Sequence, residues 1–211
     1  MLFRSYLQPR EEEVAILYAD INGFTRLSEM VLEKPTLIGQ FIDRWAAGAV
    51  DILWAHGGTF DKMVGDCVIG LFGPPFYGET PASRALNALE AAREMLDFTI
   101  RFVDDPVLAP VRARPEIAEG LGIAVGVNLC PAYVGVFGPN HDVTAFSSGM
   151  NATARLQGLA GYREILAMES VVEAVGGLPQ AKRFAFGPLT ENAVKNVSKP
   201  LRYAPVTRGQ A

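Results

Sequence analysis

The amino-acid sequence predicts one domain of the α+β or α/β class. Apolar runs typical of strands alternate with segments of helical periodicity. No break in composition divides the 211 residues, and apolar residues make up 49% of them. A chain of this length and composition suits a single globular domain with a substantial core.

The first half of the chain contains the clearest predicted elements. Residues 1–10 show no period and are predicted to be a linker or the remnant of a longer protein, so that the domain spans 11–211. The apolar run Val14–Asp20 predicts a buried strand, and Thr25 begins a short helix. Apolar residues at every third and fourth position between Leu37 and Ala55 predict a longer helix.

Glycines divide the next apolar stretch into a predicted hairpin. Its strands are Thr59–Val64 and Cys67–Phe72, joined at Gly65 and Asp66, which are residue types that favour turns. The later predicted helices are Pro81–Phe102, Gly149–Leu159 and Ser170–Val175, and the segment Val103–Glu119 is predicted to be a loop that could contain a short helix. The later predicted strands are Gly122–Leu129 paired with Ala132–Phe137, then Glu164–Met168, Arg183–Phe186 and Leu201–Val206.

Charge and composition exclude several classes of function. The chain has 19 basic and 23 acidic residues, a net charge of −4 that gives no general attraction to nucleic acid or anionic membranes. It contains no apolar run of about 20 residues and no signal peptide, which predicts a cytoplasmic protein without direct membrane insertion. Cys67 and Cys130 are predicted to be reduced core residues, and no cluster of histidine and cysteine predicts zinc.

Two acids at strand ends suggest a metal site. Asp20 ends the first predicted strand and Asp66 lies at the hairpin tip, where we expect its carboxylate to point outward. The turn between Asp20 and Thr25 leaves backbone N–H groups that could bind phosphate. Paired carboxylates favour two Mg²⁺ or Mn²⁺ ions of the kind used in phosphoryl transfer. The alternative interpretation of each acid is an ordinary turn residue.

Two further polar features could hold a nucleotide. Asn151 and Arg155 are four residues apart on a predicted helix, so both emerge on one face, where the alternative is an ordinary solvated surface. Arginine matches phosphate oxygens with its planar guanidinium group. Lys62 shares a strand face with Val64 because the two positions are an even number of residues apart.

These segments together resemble the catalytic domain of class III nucleotidyl cyclases, the adenylate and guanylate cyclase family. The similarity runs from about residue 14 to 160 and is carried by four segments in the family's order. They are 18–25 (YADINGFT), the hairpin of residues 57–73, 126–138, and 144–156 with its NATARL sequence at 151–156. The resemblance implies that residues 11–211 form a ferredoxin-like βαββαβ core with flanking helices and extra C-terminal strands. It also implies a head-to-tail homodimer.

The resemblance implies a role for each matching residue. Asp20, Asp66 and the Ile21 carbonyl would bind two divalent cations, and the turn formed by Asn22, Gly23, Phe24 and Thr25 would hold the triphosphate. Lys62 and Thr144 fall where the family recognises the purine, and this pair implies adenine. Asn151 would orient the ribose and Arg155 would stabilise charge at the α-phosphate. Lys195 and Lys199 are both candidates for a further phosphate-binding lysine.

The sequence departs from the family's pattern at three places: Ser147-Ser148, Cys130-Pro131 and Ala124. None removes a metal ligand or the Asn151–Arg155 pair, so they bear on turnover rate and dimer geometry. We therefore expect an adenylate cyclase that makes 3′,5′-cyclic AMP from ATP, with regulatory domains N-terminal to it in a longer parent protein. The alternatives are a catalytically silent nucleotide-binding module and a guanylate cyclase.

Overall fold

The computed structural model describes residues 8–74, 80–114, 118–139, 141–195, 197 and 199–209. The strands are β1 Arg10–Ile21, β2 Thr59–Val64, β3 Cys67–Phe72, β4 Ile123–Phe137, β5 Asp142–Phe146, β6 Ile165–Met168, β7 Phe184–Phe186, β8 Thr190–Asn192 and β9 Leu201–Arg208. The α-helices are α1 Phe24–Leu27, α2 Pro35–Ala55, α3 Pro81–Arg101, α4 Ala109–Arg112, α5 Ser148–Gln157 and α6 Glu169–Val175. A π-helical turn, Ser28–Leu32, continues α1, and three 3₁₀ helices span Phe102–Asp104, Pro106–Leu108 and Pro179–Arg183.

The predicted ferredoxin-like core is confirmed. The elements β1, α2, β2, β3, α3 and β4 follow one another as βαββαβ, and the four strands lie in the spatial order β2-β3-β1-β4 with antiparallel neighbours. The sheet continues through β6, which is parallel to β4, into β9 and β7, while β5 pairs with β4 and β8 with β9. The flanking helices and C-terminal strands complete an α+β fold.

Alternate residues of β1 face two different environments, as the two-residue period of a strand requires. Ala15, Leu17 and Ala19 belong to the main core, which α2, α3 and α6 cover on one face of the sheet. Val14 and Ile16 belong to a smaller apolar cluster on the opposite face. Because Asp20 shares the parity of that second set, it lies on the thinly covered face, where ligands have access.

The two strands predicted at Gly122–Leu129 and Ala132–Phe137 are in fact one strand, β4, and that prediction was wrong. Pro131 lies opposite Glu13 of β1 and between the part of β4 that pairs with β6 and the part that pairs with β5. Proline lacks a backbone N–H, which disrupts a sheet only where a neighbour needs that donor. Because Pro131 lies between the stretch of β4 that pairs with β6 and the stretch that pairs with β5, the strand continues through the proline.

The other boundaries differ by smaller amounts. β1 begins at Arg10, inside the segment predicted as a linker, and residues 1–7 lie outside the described residues. α1 begins at Phe24, one position before the predicted start, and β8 was not predicted. The short helix that the predicted loop could contain is present as α4, and the loop also includes the 3₁₀ helix Pro106–Leu108 and most of Phe102–Asp104. Within the described ranges, none of the helices is both long and apolar enough to cross a membrane.

Candidate active site

The two acids predicted to bind metal lie beside each other at one end of the sheet. Gly65, with a φ of +63°, makes the tight turn that brings Asp66 back toward β1. The backbone N–H of Ile21 donates a hydrogen bond to the Asp66 carboxylate at 3.2 Å. Asp66 is half-buried and bonded to β1, so the expectation of a carboxylate pointing freely outward was wrong.

The surroundings of Asp20 and Asp66 disfavour the ionised form of both carboxyl groups. Burial, followed by the nearby charge of Asp66, raises the pKa of Asp20 to about 6. Burial also raises the pKa of Asp66, outweighing the hydrogen bonds it accepts from its own backbone N–H and from that of Ile21. Two adjacent, half-buried acids with raised pKa values form a site that a divalent cation would stabilise.

The donor set fits a hard cation. Among the described residues no group of three or more histidine, cysteine, aspartate or glutamate side chains could hold a metal. Mg²⁺ commonly binds through one or two carboxylates and takes its other ligands from water and substrate phosphates, so Asp20 and Asp66 suffice. Cys67 lies near both acids, but burial, followed by their charges, raises its pKa to about 12, so it stays a protonated thiol.

In the turn after Asp20, two side chains contact other parts of the protein. This leaves the backbone of the turn as the surface that could contact a ligand. The amide oxygen of Asn22 accepts a hydrogen bond from the Arg163 backbone N–H at 3.0 Å. The Phe24 ring stacks on Phe41 with 5.9 Å between centroids. Gly23, with a φ of +69°, and Thr25 are exposed at the start of α1. The Asn22 N–H donates to the Gly122 carbonyl at 2.9 Å, so the N–H groups that this turn could offer to phosphate are those at the start of α1.

A cavity of about 560 Å³ lies between the hairpin and the segment that joins β5 to α5. Lys62 of β2 and Asn151 of α5 both line it, as does the half-buried Tyr18 of β1. Val64 and Lys62 both line it, which confirms that they share a strand face. Arg155 is exposed one turn farther along α5 and does not line this cavity, nor do Asp20 and Asp66.

The remaining predicted residues lie in different surroundings. Thr144 of β5 is buried, with its hydroxyl facing inward. Lys195 and Lys199 are both exposed in the segment between β8 and β9, so the choice between them stays a prediction.

The positions that depart from the family's pattern have structural roles. The Ser147 hydroxyl accepts a hydrogen bond from the Gly149 N–H at 3.0 Å and donates one to the Pro131 carbonyl at 2.6 Å, so it caps α5 and ties it to β4. The side chain of Cys130 packs against Gly149, where a Cβ atom would lie 2.1 Å from the sulfur. Ala124 is buried.

One residue near the predicted site was missed in the sequence. Asp61 is the extra residue of a β-bulge in β2, where the register with β3 shifts between Phe60 and Lys62. Its carboxyl group lies 3.6 Å from the Lys62 ammonium and has no accessible surface. Strict strand alternation places Asp61 and Lys62 on opposite faces, so the one available signal was an acid within an apolar hairpin.

Several known proteins are similar to this chain. A family model described as the adenylate and guanylate cyclase catalytic domain matches residues 6–204. An adenylate cyclase of Anabaena cylindrica is 31% identical over 162 residues, and an uncharacterised protein of Mycobacterium tuberculosis is 28% identical over 181 residues. These matches cover 75% and 85% of this chain, which spans 30% of each relative's length.

Two solved structures share the fold over almost the whole chain. The adenylyl cyclase CyaB of P. aeruginosa superposes with a TM-score of 0.80 at 25% identity, covering 97% of this chain and 98% of that one. The guanylyl cyclase Cya2 superposes with a TM-score of 0.78 at 24% identity, covering 96% and 95%. Cyclases named for either purine are thus similar to this chain.

Proposed function

Since the chain belongs to the adenylate and guanylate cyclase catalytic domain family, a family of nucleotide-cyclising lyases that act as dimers and use divalent metals, we propose that it is an adenylate cyclase. It converts ATP to 3′,5′-cyclic AMP and pyrophosphate as a head-to-tail homodimer. The observation that carries this proposal is the Asp20–Asp66 pair, held together by the Ile21 N–H beside a phosphate-binding turn. Loss of these acids would have marked a catalytically silent module.

Each active site takes residues from both copies. Asp20, Asp66 and the turn of residues 22–25 come from one chain, and Lys62, Thr144, Asn151 and Arg155 come from its partner. Two observations support this division: the cavity lined by Lys62 and Asn151 contains neither metal-binding acid, and its rim is apolar. Val64 and Phe146 there are 62% and 58% exposed, a surface that a second copy would cover.

The metal ions would be held by Asp20, Asp66 and the Ile21 carbonyl. When bound, two Mg²⁺ or Mn²⁺ ions would favour ionisation of the ribose 3′-hydroxyl and neutralise charge on the phosphates. The ribose 3′-oxygen forms a bond to the α-phosphorus, its proton leaves to solvent, and the bond from that phosphorus to the oxygen bridging to the β-phosphorus breaks.

The protein's own side chains orient the substrate and stabilise charge. The N–H groups of the turn hold the β- and γ-phosphates, and Asn151 fixes the ribose so that its 3′-oxygen points at the phosphorus. Arg155 donates to the phosphate oxygens on which negative charge develops, which lowers the barrier selectively. Lys195 or Lys199 supplies a further cation to the leaving pyrophosphate.

Adenine is preferred because Lys62 can only donate hydrogen bonds. The N1 atom of adenine accepts a hydrogen bond, whereas N1 of guanine carries a hydrogen that opposes the ammonium group. An ammonium lining the nucleotide cavity therefore favours ATP over GTP.

The experiment is incubation of the protein with ATP, and separately with GTP, in the presence of Mn²⁺ or Mg²⁺. Products are identified by mass spectrometry, with Asp66→Ala as the inactive variant and the exposed Asp51→Ala as the matched control. We expect cyclic AMP from ATP with wild type and Asp51→Ala, and none with Asp66→Ala. Binding of ATP without product would indicate a silent module, and cyclic GMP as the main product would indicate a guanylate cyclase. Either result overturns the proposal.

A further inference from the structure

Asp61 is a buried acid that the proposed chemistry does not use. Its carboxyl group has no accessible surface, and among the described residues neither of its oxygens completes a hydrogen bond. A buried carboxyl group whose hydrogen bonds are not completed is costly, and proteins retain such groups mainly where they serve a purpose. Burial raises its pKa, although the Thr144 hydroxyl and the Lys62 charge each lower it.

The neighbours of Asp61 include the two residues at the family's purine-recognition positions. The Lys62 ammonium lies 3.6 Å from one carboxyl oxygen. The Thr144 hydroxyl lies against the same carboxyl group, close enough to lower its pKa, yet it is buried and completes no hydrogen bond among the described residues. The charge of Asp142 also acts on Asp61 and raises its pKa. Burial and then the charge of the nearby Asp61 raise the pKa of the Tyr18 hydroxyl.

The bulge explains how these groups meet. In a regular strand, successive side chains point to opposite faces, so Asp61 and Lys62 could not both face β5. The extra residue in β2 re-aims the side chain of Asp61 so that it lies beneath Lys62 and against Thr144. Bulges are often found next to active sites for this reason.

The two purine-recognition residues have different access to the ligand. Lys62 lines the cavity and half of its side chain is exposed. The Thr144 hydroxyl has no such access, because it is buried and faces Asp61. A hydroxyl in that position can donate to a carboxylate but is not presented to a base.

Resting on the proposed function, we propose that Asp61 is the positioning residue of the purine site and that Thr144 acts on the base through Asp61. The carboxylate accepts hydrogen bonds and donates none, so it orients the Thr144 hydroxyl inward and draws one N–H of the Lys62 ammonium toward itself. The other N–H groups of Lys62 then point into the cavity, toward the ring nitrogen of adenine. Selectivity thus depends on a buried relay of Thr144, Asp61 and Lys62.

The test is a double-mutant cycle with the isosteric variants Asp61→Asn and Thr144→Val, alone and combined. Asp142→Asn, an exposed acid near the same cluster, is the matched control. The readouts are kcat and KM for ATP and GTP, the dissociation constant of ATP, and the melting temperature. The ATP-to-GTP selectivity separates a positioning role from a purely structural one.

We expect Asp61→Asn to raise the KM and the dissociation constant for ATP roughly ten-fold, the size of one lost hydrogen bond to a charged group. Its kcat should stay near the wild-type value, and selectivity for ATP over GTP should fall. Asp142→Asn should resemble wild type. The double variant should be no worse than Asp61→Asn, because Thr144 acts through that residue.

Three outcomes would overturn the inference. They are unchanged selectivity in Asp61→Asn, additive losses in the double variant, or an equal loss in Asp142→Asn. If the wild type forms no cyclic AMP, the proposed function fails, and the same cycle is decided on ATP affinity alone. If Asp61→Asn does not fold, Thr144→Ser, which keeps the hydroxyl, is compared with Thr144→Val: equal ATP selectivity in the two also contradicts the relay.

Discussion

The backbone N–H of Ile21 donates a hydrogen bond to the carboxylate of Asp66, at 3.2 Å, across 45 residues of sequence. This bond joins the end of β1 to the tip of the β2–β3 hairpin and sets Asp66 beside Asp20. The raised pKa values of both acids follow from this position, since burial weakens hydration and Asp66 repels the charge of Asp20. The proposed metal chemistry depends on this contact.

Asp20→Asn should stabilise the metal-free protein at pH 7.5. The folded-state pKa of Asp20, about 6, lies above its ordinary value of 3.8, so its ionisation opposes folding as the pH rises through this range. Asparagine removes that charge with little change in shape. Thermal unfolding in a chelator should show a higher melting temperature for the variant at pH 7.5, and the difference should vanish below about pH 4.

The same titration should control cation affinity, because a metal ligand must be ionised. For wild type, the rise in melting temperature on adding Mn²⁺ should be large at pH 7.5 and much smaller at pH 5. Asp20→Asn should lose most of this response. A cation-induced shift that is equal at both pH values would contradict the assignment of Asp20 as a ligand.

Arg155→Ala should lower kcat by roughly 100-fold or more with little change in KM, because its donors act mainly on charge that develops during the reaction. Stability should be unaffected, since the side chain is exposed on α5. Steady-state kinetics and thermal unfolding measure the two effects. Arg101→Ala, another exposed arginine at the end of a helix, is the matched control. Equal losses in both variants would argue against a specific role for Arg155.

Ser147→Ala should destabilise the protein by about 1 kcal/mol because it removes the N-terminal cap of α5. The bond from its hydroxyl to the Pro131 carbonyl is lost as well. For a chain of this size the expected fall in melting temperature is about 2–4 °C. Ser148→Ala, at an exposed neighbouring position, should change the melting temperature much less. Similar values for the two variants would show that the cap contributes nothing measurable.

Periodicity and turn chemistry were sufficient to predict most of the central elements. The hairpin strands, Thr59–Val64 and Cys67–Phe72, have the predicted bounds, because glycine and aspartate define the turn between two apolar runs. α2 and α3 follow from regular apolar spacing. The continuity of β4 was not predictable from local signals, since whether Pro131 interrupts a strand depends on which neighbours pair with it.

The site was predictable in its residue types and less so in its geometry. The grouping of Asp20 with Asp66 follows from two acids at strand ends, but the turn of Asp66 back onto Ile21 depends on tertiary contacts. Asp61 escaped notice because a β-bulge leaves no regular signature in the sequence. The burial of Thr144 likewise depends on β5 lying close to the bulge of β2.

The most direct test of the account is to mix inactive Asp20→Ala protein with inactive Arg155→Ala protein. Random exchange of subunits would produce mixed dimers that contain one intact site, so cyclic AMP production should recover to about a quarter of the wild-type rate. Sedimentation analysis verifies that mixed dimers form. Recovery at that level supports a site shared between two copies, and no recovery from mixed dimers that have formed would contradict it.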